Sequence, residues 1–173
     1  KAVSFSEAFE SFFAMTKPKS GVQVDWRAAL DVTTVLACVR VIAEGVAQVP
    51  LRVMRETADG KGSEPAPEHP LYKLLNRRPN KWQTSFAFRE TMLIHLALTG
   101  NAYAFKSMVR GKVRELILLE PASVAVSQGV DRAITYTITG MDGKTVELPE
   151  SAIWHVRGAS WDTVKGMEAV RQA

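Results

Sequence analysis

The sequence predicts an α+β domain, with N-terminal helices packed on a mainly antiparallel sheet of short strands. Three observations predict it. Apolar residues recur at helical spacing through the first hundred residues, and from Asn101 onward the period changes to two. Tight-turn signals, Arg110-Gly111 and Asp142-Gly143, then join the strands, which makes neighbours antiparallel. The 173 residues are 46% hydrophobic and 23% charged. That suits one domain with its own core, since roughly 150 residues bury about two thirds of their unfolded surface. It excludes disorder, collagen and coiled coil. A single Cys excludes an internal disulfide, and one Cys with three scattered His excludes a structural zinc site.

The elements follow in order. Ser4-x-x-Glu7 has capping-box spacing, and Phe5, Ala8, Phe9, Phe12 and Phe13 behind it share one helical face. This amphipathic arm either packs on the chain's own core or docks on a neighbouring subunit. It ends before the linker Lys17-Pro18-Lys19-Ser20-Gly21. Asp31 is expected to cap a long helix whose Val32, Val35, Leu36, Val39, Ile42, Ala43 and Val46 form a broad apolar stripe. Cys38, set among them, is expected to be an inert core thiol. Pro50 stops this helix, and residues 51–57 read as a strand entering the turn Asp59-Gly60-Lys61-Gly62. Residues 69–76 form a short helix with Pro70 in its first turn, ended by Arg77-Arg78-Pro79-Asn80. Thr84 or Ser85 caps the next long helix, which buries Phe88, Met92, Ile94, Leu96 and Leu98 and stops at a left-handed Gly100. Strands follow over 102–108, 112–119, 123–127, 134–138, 144–148 and 152–156, and a helix is expected to begin near Ser160 or Asp162. The division is thus an arm and linker over 1–30, an α+β domain over 31–160 and the start of a helix over 161–173. Because the chain lacks an initial Met and stops inside a helical pattern, it is expected to be part of something longer.

Chemistry-bearing patterns are few. Gly140-Met141-Asp142-Gly143-Lys144-Thr145 ends like a phosphate loop, but Ile138 stands where the first Gly belongs and a strand follows where a helix should supply amides. It reads as a hairpin turn. His69, His95 and His155 fall in separate elements without metal-ligand spacing. His155, between Trp154 and Val156, is expected to make structural hydrogen bonds. A Ser151, His155 and Asp162 triad lacks the Gly-x-Ser-x-Gly elbow. No catalytic residue, metal or cofactor is therefore expected.

The net charge of +4 is modest. Lys106, Arg110, Lys112 and Arg114 nevertheless gather four cations across one hairpin with Tyr103 and Phe105, a pattern suited to single-stranded nucleic acid if they share a face. The plainer reading is a solvated edge guarded by cations. Residues 91–105, the longest uncharged interval, are too short and polar to span a membrane.

As a set, several motifs are more specific than any one alone. They are residues 35–44 leading to Val49-Pro50-Leu51, then His69-Pro70-Leu71-Tyr72, Arg78-Pro79-Asn80, residues 86–89 and Gly100-Asn101-Ala102-Tyr103. Residues 116–121, Leu148-Pro149, His155-Val156-Arg157-Gly158 and Gly166 continue the series. Together they resemble bacteriophage portal proteins of the HK-ninety-seven-type branch. The resemblance implies a dodecameric ring at one capsid vertex that conducts double-stranded DNA during terminase-driven packaging and ejection and joins head to tail. It implies itself, the terminase large subunit, capsid protein and head-completion or adaptor proteins as partners. It also implies a place in the virion after assembly in the host cytoplasm. In this frame residues 31–160 are the wing domain, 161–173 begin a stem helix, and Phe5, Phe9, Phe12 and Phe13 are a candidate subunit or capsid contact. The wing carries little channel lining, which weighs against a direct DNA role for Lys106 to Arg114. The alternative function is a small nucleic-acid-binding module built on hairpin 106–114, and a hydrolase around His155 is a distant third.

Overall fold

The computed structural model describes residues 30–140 and 142–168. The Phe5 to Phe13 stripe and the linker after it lie outside the described residues.

Helix α1 spans Thr33–Ala47, α2 Pro70–Asn76 and α3 Ser85–Thr99. A two-stranded hairpin, β1 (Met54–Glu56) with β2 (Ser63–Pro65), separates α1 from α2. The remaining strands form two antiparallel sheets. The first has the order β4 (Lys112–Leu119), β3 (Asn101–Val109), β8 (Ile153–Arg157). The second has the order β5 (Val124–Gln128), β6 (Ile134–Thr139), β7 (Thr145–Pro149). The fold is α+β.

Local chemistry sets most boundaries as expected. His69 Nδ1 accepts the Leu71 N–H at 3.3 Å and Thr84 Oγ1 accepts the Ala87 N–H at 3.2 Å, so each caps its helix, while Gly100 ends α3 at φ +70°. The Gly140–Gly143 segment is a hairpin turn: Asp142 Oδ1 accepts the Lys144 N–H at 3.1 Å, and Gly143 is left-handed at φ +75°.

Strand β3 lies at the centre, between two cores. Its Ala102 and Ala104 face α2 and α3 and pack with Leu74, Phe88, Met92 and Leu116. Its Tyr103 faces the second sheet and packs with Val124, Tyr136 and Ile153, with Phe105 against them. Small residues toward the helices let α3 approach closely, and aromatic ones span the gap between sheets. With both faces covered, residues 101–104 are all buried.

The outer edge of this sheet is closed by the loop after α2. The Leu116 N–H donates to Pro79 O at 2.8 Å, and Asn80 Nδ2 donates to Leu116 O at 2.9 Å. Asn80 Oδ1 accepts from the Trp82 and Gln83 N–H groups, so the 5% exposed carboxamide is paired on both ends. Asn80→Ala leaves several of these buried groups unpaired, and urea unfolding should show a loss of about 2–3 kcal/mol.

Three expectations are corrected. Asp31 does not cap α1; Val32 occupies the N-cap and offers no side-chain acceptor. Cys38 is exposed rather than in the core, because α1 buries only Val39, Ala43 and Ala47. Residues 160–168 hold no helix, and 161–165 are bends. Asp162 Oδ1 does accept the Val164 and Lys165 N–H groups, as a cap would, but Thr163 takes φ +61° and the chain turns back toward Gly100. Residues 169–173, the rest of the expected stem start, lie outside the described residues.

Candidate functional site: the strap over the central sheet and the basic hairpin tip

After β8 the chain crosses the start of β3 as a strap, and three glycines make the crossing. Gly158 N–H donates to Gly100 O at 2.8 Å. A Cβ on Gly100 would stand 2.0 Å from Met167 O, and one on Gly166 would stand 1.9 Å from Gly100 O. No side chain of any size fits either place.

Asn101 locks the strap from below. Only 2% exposed, it accepts the Gly166 N–H on Oδ1 at 2.7 Å and donates from Nδ2 to Gly166 O at 3.0 Å and Thr99 O at 2.8 Å. His155 Nε2 lies 3.1 Å from the same Oδ1, and Nδ1 lies 3.1 Å from Tyr136 Oη. Since Oδ1 only accepts, Nε2 must carry the proton, and Nδ1 accepts from the Tyr136 hydroxyl. The ring also lies against Tyr103, with centroids 4.4 Å apart. One histidine thus connects strap, first sheet and second sheet.

The structural role expected for His155 is therefore present, and neither ring nitrogen is free to act as a base. Ser151 is exposed on the turn before β8, and the Asp162 carboxylate serves its own loop. The triad is not assembled.

Burial pushes the His155 pKa down to about 4, and the Arg157 and Lys165 charges act in the same direction. The unfolded chain takes up this proton near pH 6.5. Stability is therefore fully present above that pH and is lost as the pH falls toward about 4. Discounted for the ring's partial exposure, the loss is about 1–2 kcal/mol. Melting curves of the native chain and of His155→Gln should differ most at pH 7–8 and converge toward pH 4.

The basic hairpin is only partly a surface. The β3–β4 register slips between Ser107 and Met108, pairing Ser107 with Glu115 and Met108 with Val113, so Arg114 is the extra, bulged residue. Arg110 sits in the turn at φ +52°, and Arg110, Lys112 and Arg114 are exposed at the tip. Lys106 is half-buried and lines a cleft of about 200 Å³ with Glu150, His155 and Arg157. Tyr103 and Phe105 belong to the core between the sheets. The four cations do not share one face, and the two aromatics cannot stack on bases. Strand alternation was readable from the sequence; a second sheet covering that face, and a bulge at Arg114, were not.

Comparison with known proteins identifies the frame in which these features sit. A family model described as phage portal protein matches residues 33–173. The chain belongs to the phage portal protein family. It is similar to Protein BeeE of Escherichia coli (strain K12), 34% identical over 110 residues that make up 64% of this chain and 69% of that protein. It is also similar to the portal protein of Enterobacteria phage HK97, 28% identical over 142 residues, 82% of this chain and 33% of that one. Among solved structures, its fold is similar to a chain in the neck of an empty GTA particle computed with C6 symmetry, with a TM-score of 0.70 and 23% identity over 91% of this chain and 45% of the other. A chain in the neck of the native GTA particle computed with C12 symmetry matches at 0.61 and 21%, over 92% and 38%. The chain thus spans about a third of the HK97 portal protein and under half of these solved chains. A structural portal role follows from the family.

Proposed function

We propose that this chain is the wing portion of a ring-forming portal subunit. In this reading residues 31–160 are the wing domain, residues 161–173 lead toward the stem, and the whole protein sits at the capsid vertex of a virion or virion-like particle. Twelve copies form a channel for double-stranded DNA, entered during terminase-driven packaging and left through the tail at ejection. Its partners are its own copies, the terminase large subunit, capsid protein and head-completion or adaptor proteins, and it carries no enzymatic centre of its own. It assembles in the host cytoplasm and needs no membrane; no helix among the described residues is long and apolar enough to cross one.

The observation that carries the reading is the family match over residues 33–173 on a fold shared with chains of particle necks. A producing strain with a stop codon at Tyr103 is expected to build capsids that hold no DNA. DNA-filled capsids made without the protein would overturn the reading.

The alternative, a nucleic-acid module on hairpin 106–114, keeps the exposed Arg110, Lys112 and Arg114 in its favour and lacks the aromatic platform. Neutral replacement of these three abolishes a salt-dependent DNA affinity only if the module reading holds.

A further inference from the structure

The end of the domain that carries the hairpin tip joins two basic stretches that are far apart in sequence. Residues 69–114 hold nine Lys and Arg against one acid, Glu90, although the whole chain nets only +4. The bonds from Pro79 and Asn80 to Leu116 lay loop 77–82 along the outer edge of β4, and the Ser85 N–H donates to Arg77 O at 3.1 Å. Arg114 stands two residues from Leu116, about 7 Å along the same strand, with the tip beyond it. Arg77, Arg78, Lys81, Arg110, Lys112 and Arg114 are all exposed. None of them enters the ion pairs of the described residues, which join Arg40 to Glu44, Arg55 to Glu64 and Glu68, and Lys144 to Asp142.

Large apolar side chains are exposed at the same end. Trp82 is 64% exposed within the loop, and Phe86, in the first turn of α3, is exposed as well. That end of α3 lies toward the tip half of β3, since the Phe88 ring stacks on Trp154 at 6.4 Å and Trp154 pairs with Ala104. Met108 and Val109, the last residues of β3, are 48% and 51% exposed.

This composition selects the kind of partner. Surfaces that dock proteins are enriched in Trp, Phe, Met and Arg and depleted in Asp and Glu, and their binding energy concentrates on Trp and Arg. Here the six exposed cations are four Arg and two Lys, set among Trp82, Phe86 and Met108. A phosphate backbone would meet the cations and leave the apolar side chains in water, whereas an acidic protein segment with apolar side chains uses both. A second copy is the poorer match. Its Glu44, Glu64, Glu68 and Asp142 are already ion-paired, and its Asp59 and Asp162 hold N–H groups of their own loops.

We propose that loop 77–82 and the β3–β4 tip form one docking surface for an acidic segment, bearing apolar side chains, of a different protein. Trp82 and Phe86 take up the apolar side chains, and the surrounding cations pair with the carboxylates and fix the register. The proposal goes beyond the portal reading and does not rest on it, because its test reads binding to a peptide rather than ring formation.

The experiment offers the protein, as its gene encodes it, to a library of short random peptides and then measures the selected peptides by fluorescence anisotropy at physiological ionic strength. The selected peptides should be net acidic and carry large apolar residues. Trp82→Ser, and separately Arg77→Ser with Arg78→Ser, should each weaken their binding at least tenfold. Ser at Arg110, Lys112 and Arg114 together should do the same, because the loop and the tip act as one surface. These side chains are exposed, so the melting temperature of each variant should stay at the native value. Selected peptides that are neutral or basic, peptides that keep their affinity for the variants, or no selected peptide at all would overturn the proposal. So would a short DNA, duplex or single strand, that binds more tightly than the peptides, since the surface would then be one for nucleic acid. Loss of self-assembly in the Trp82→Ser protein would overturn it as well, because a second copy would then be the occupant.

Discussion

Gly100→Ala should lower stability by about 3–5 kcal/mol, the sum of a left-handed backbone strain and an overlap with the strap that neither backbone can relieve. The new Cβ would stand 2.0 Å from Met167 O and 2.7 Å from its carbonyl carbon. For a chain of this size that is a fall in Tm of about 10 °C. Gly111→Ala is the matched control. Its φ of +73° is nearly that of Gly100, but a Cβ there meets nothing within 4 Å, so only the backbone strain of about 1–2 kcal/mol applies. The difference between the two variants isolates the contact. Gly166→Ala, which meets Gly100 O at 1.9 Å, should resemble Gly100→Ala. Faster hydrogen exchange at the Gly158 and Met167 amides, which donate to Gly100 O and Ala159 O, would locate the damage in the strap.

Asn101→Ala comes second, at about 3–4 kcal/mol. The native carboxamide pairs the N–H and C=O of Gly166, the C=O of Thr99 and the Nε2–H of His155, all within a site that is almost fully enclosed. Removing it leaves buried groups that water cannot reach, which costs more than the bonds contributed. Because Gly100→Ala and Asn101→Ala release the same strap, the double variant should lose clearly less than the two losses added together. Strict additivity would show that the strap is not one cooperative unit.

The sequence carried local information well and long-range information poorly, for physical reasons. Caps and turns are decided within a few residues, so His69-Pro70, Thr84, Gly100 and Asp142-Gly143 were legible. Periodicity tells which residues share a face but not whether anything covers it. Cys38 was therefore expected in the core and is exposed, while Tyr103 and Phe105, which the nucleic-acid reading of the basic hairpin needs beside its cations, lie between two sheets. Gly100, Asn101, Gly158 and Gly166 stood out as parts of a family pattern. Only the fold shows that they touch one another, with Asn101 and Gly166 separated by 65 residues. The segment near Asp162 holds the signal of a helix start, and its carboxylate does gather the N–H groups of Val164 and Lys165. Tertiary contact overrides that signal, since Gly166 must reach Asn101 four residues later.

On the portal reading proposed above, the strap sets the direction in which the chain leaves the α+β domain, which a ring subunit needs to be the same in every copy. The most direct test of the portal reading is the mass of the assembly formed by the protein as its gene encodes it, measured by native mass spectrometry across protein and salt concentrations. The account predicts a closed ring of twelve copies. A protein that stays monomeric under every condition, while melting as a folded domain, would contradict it.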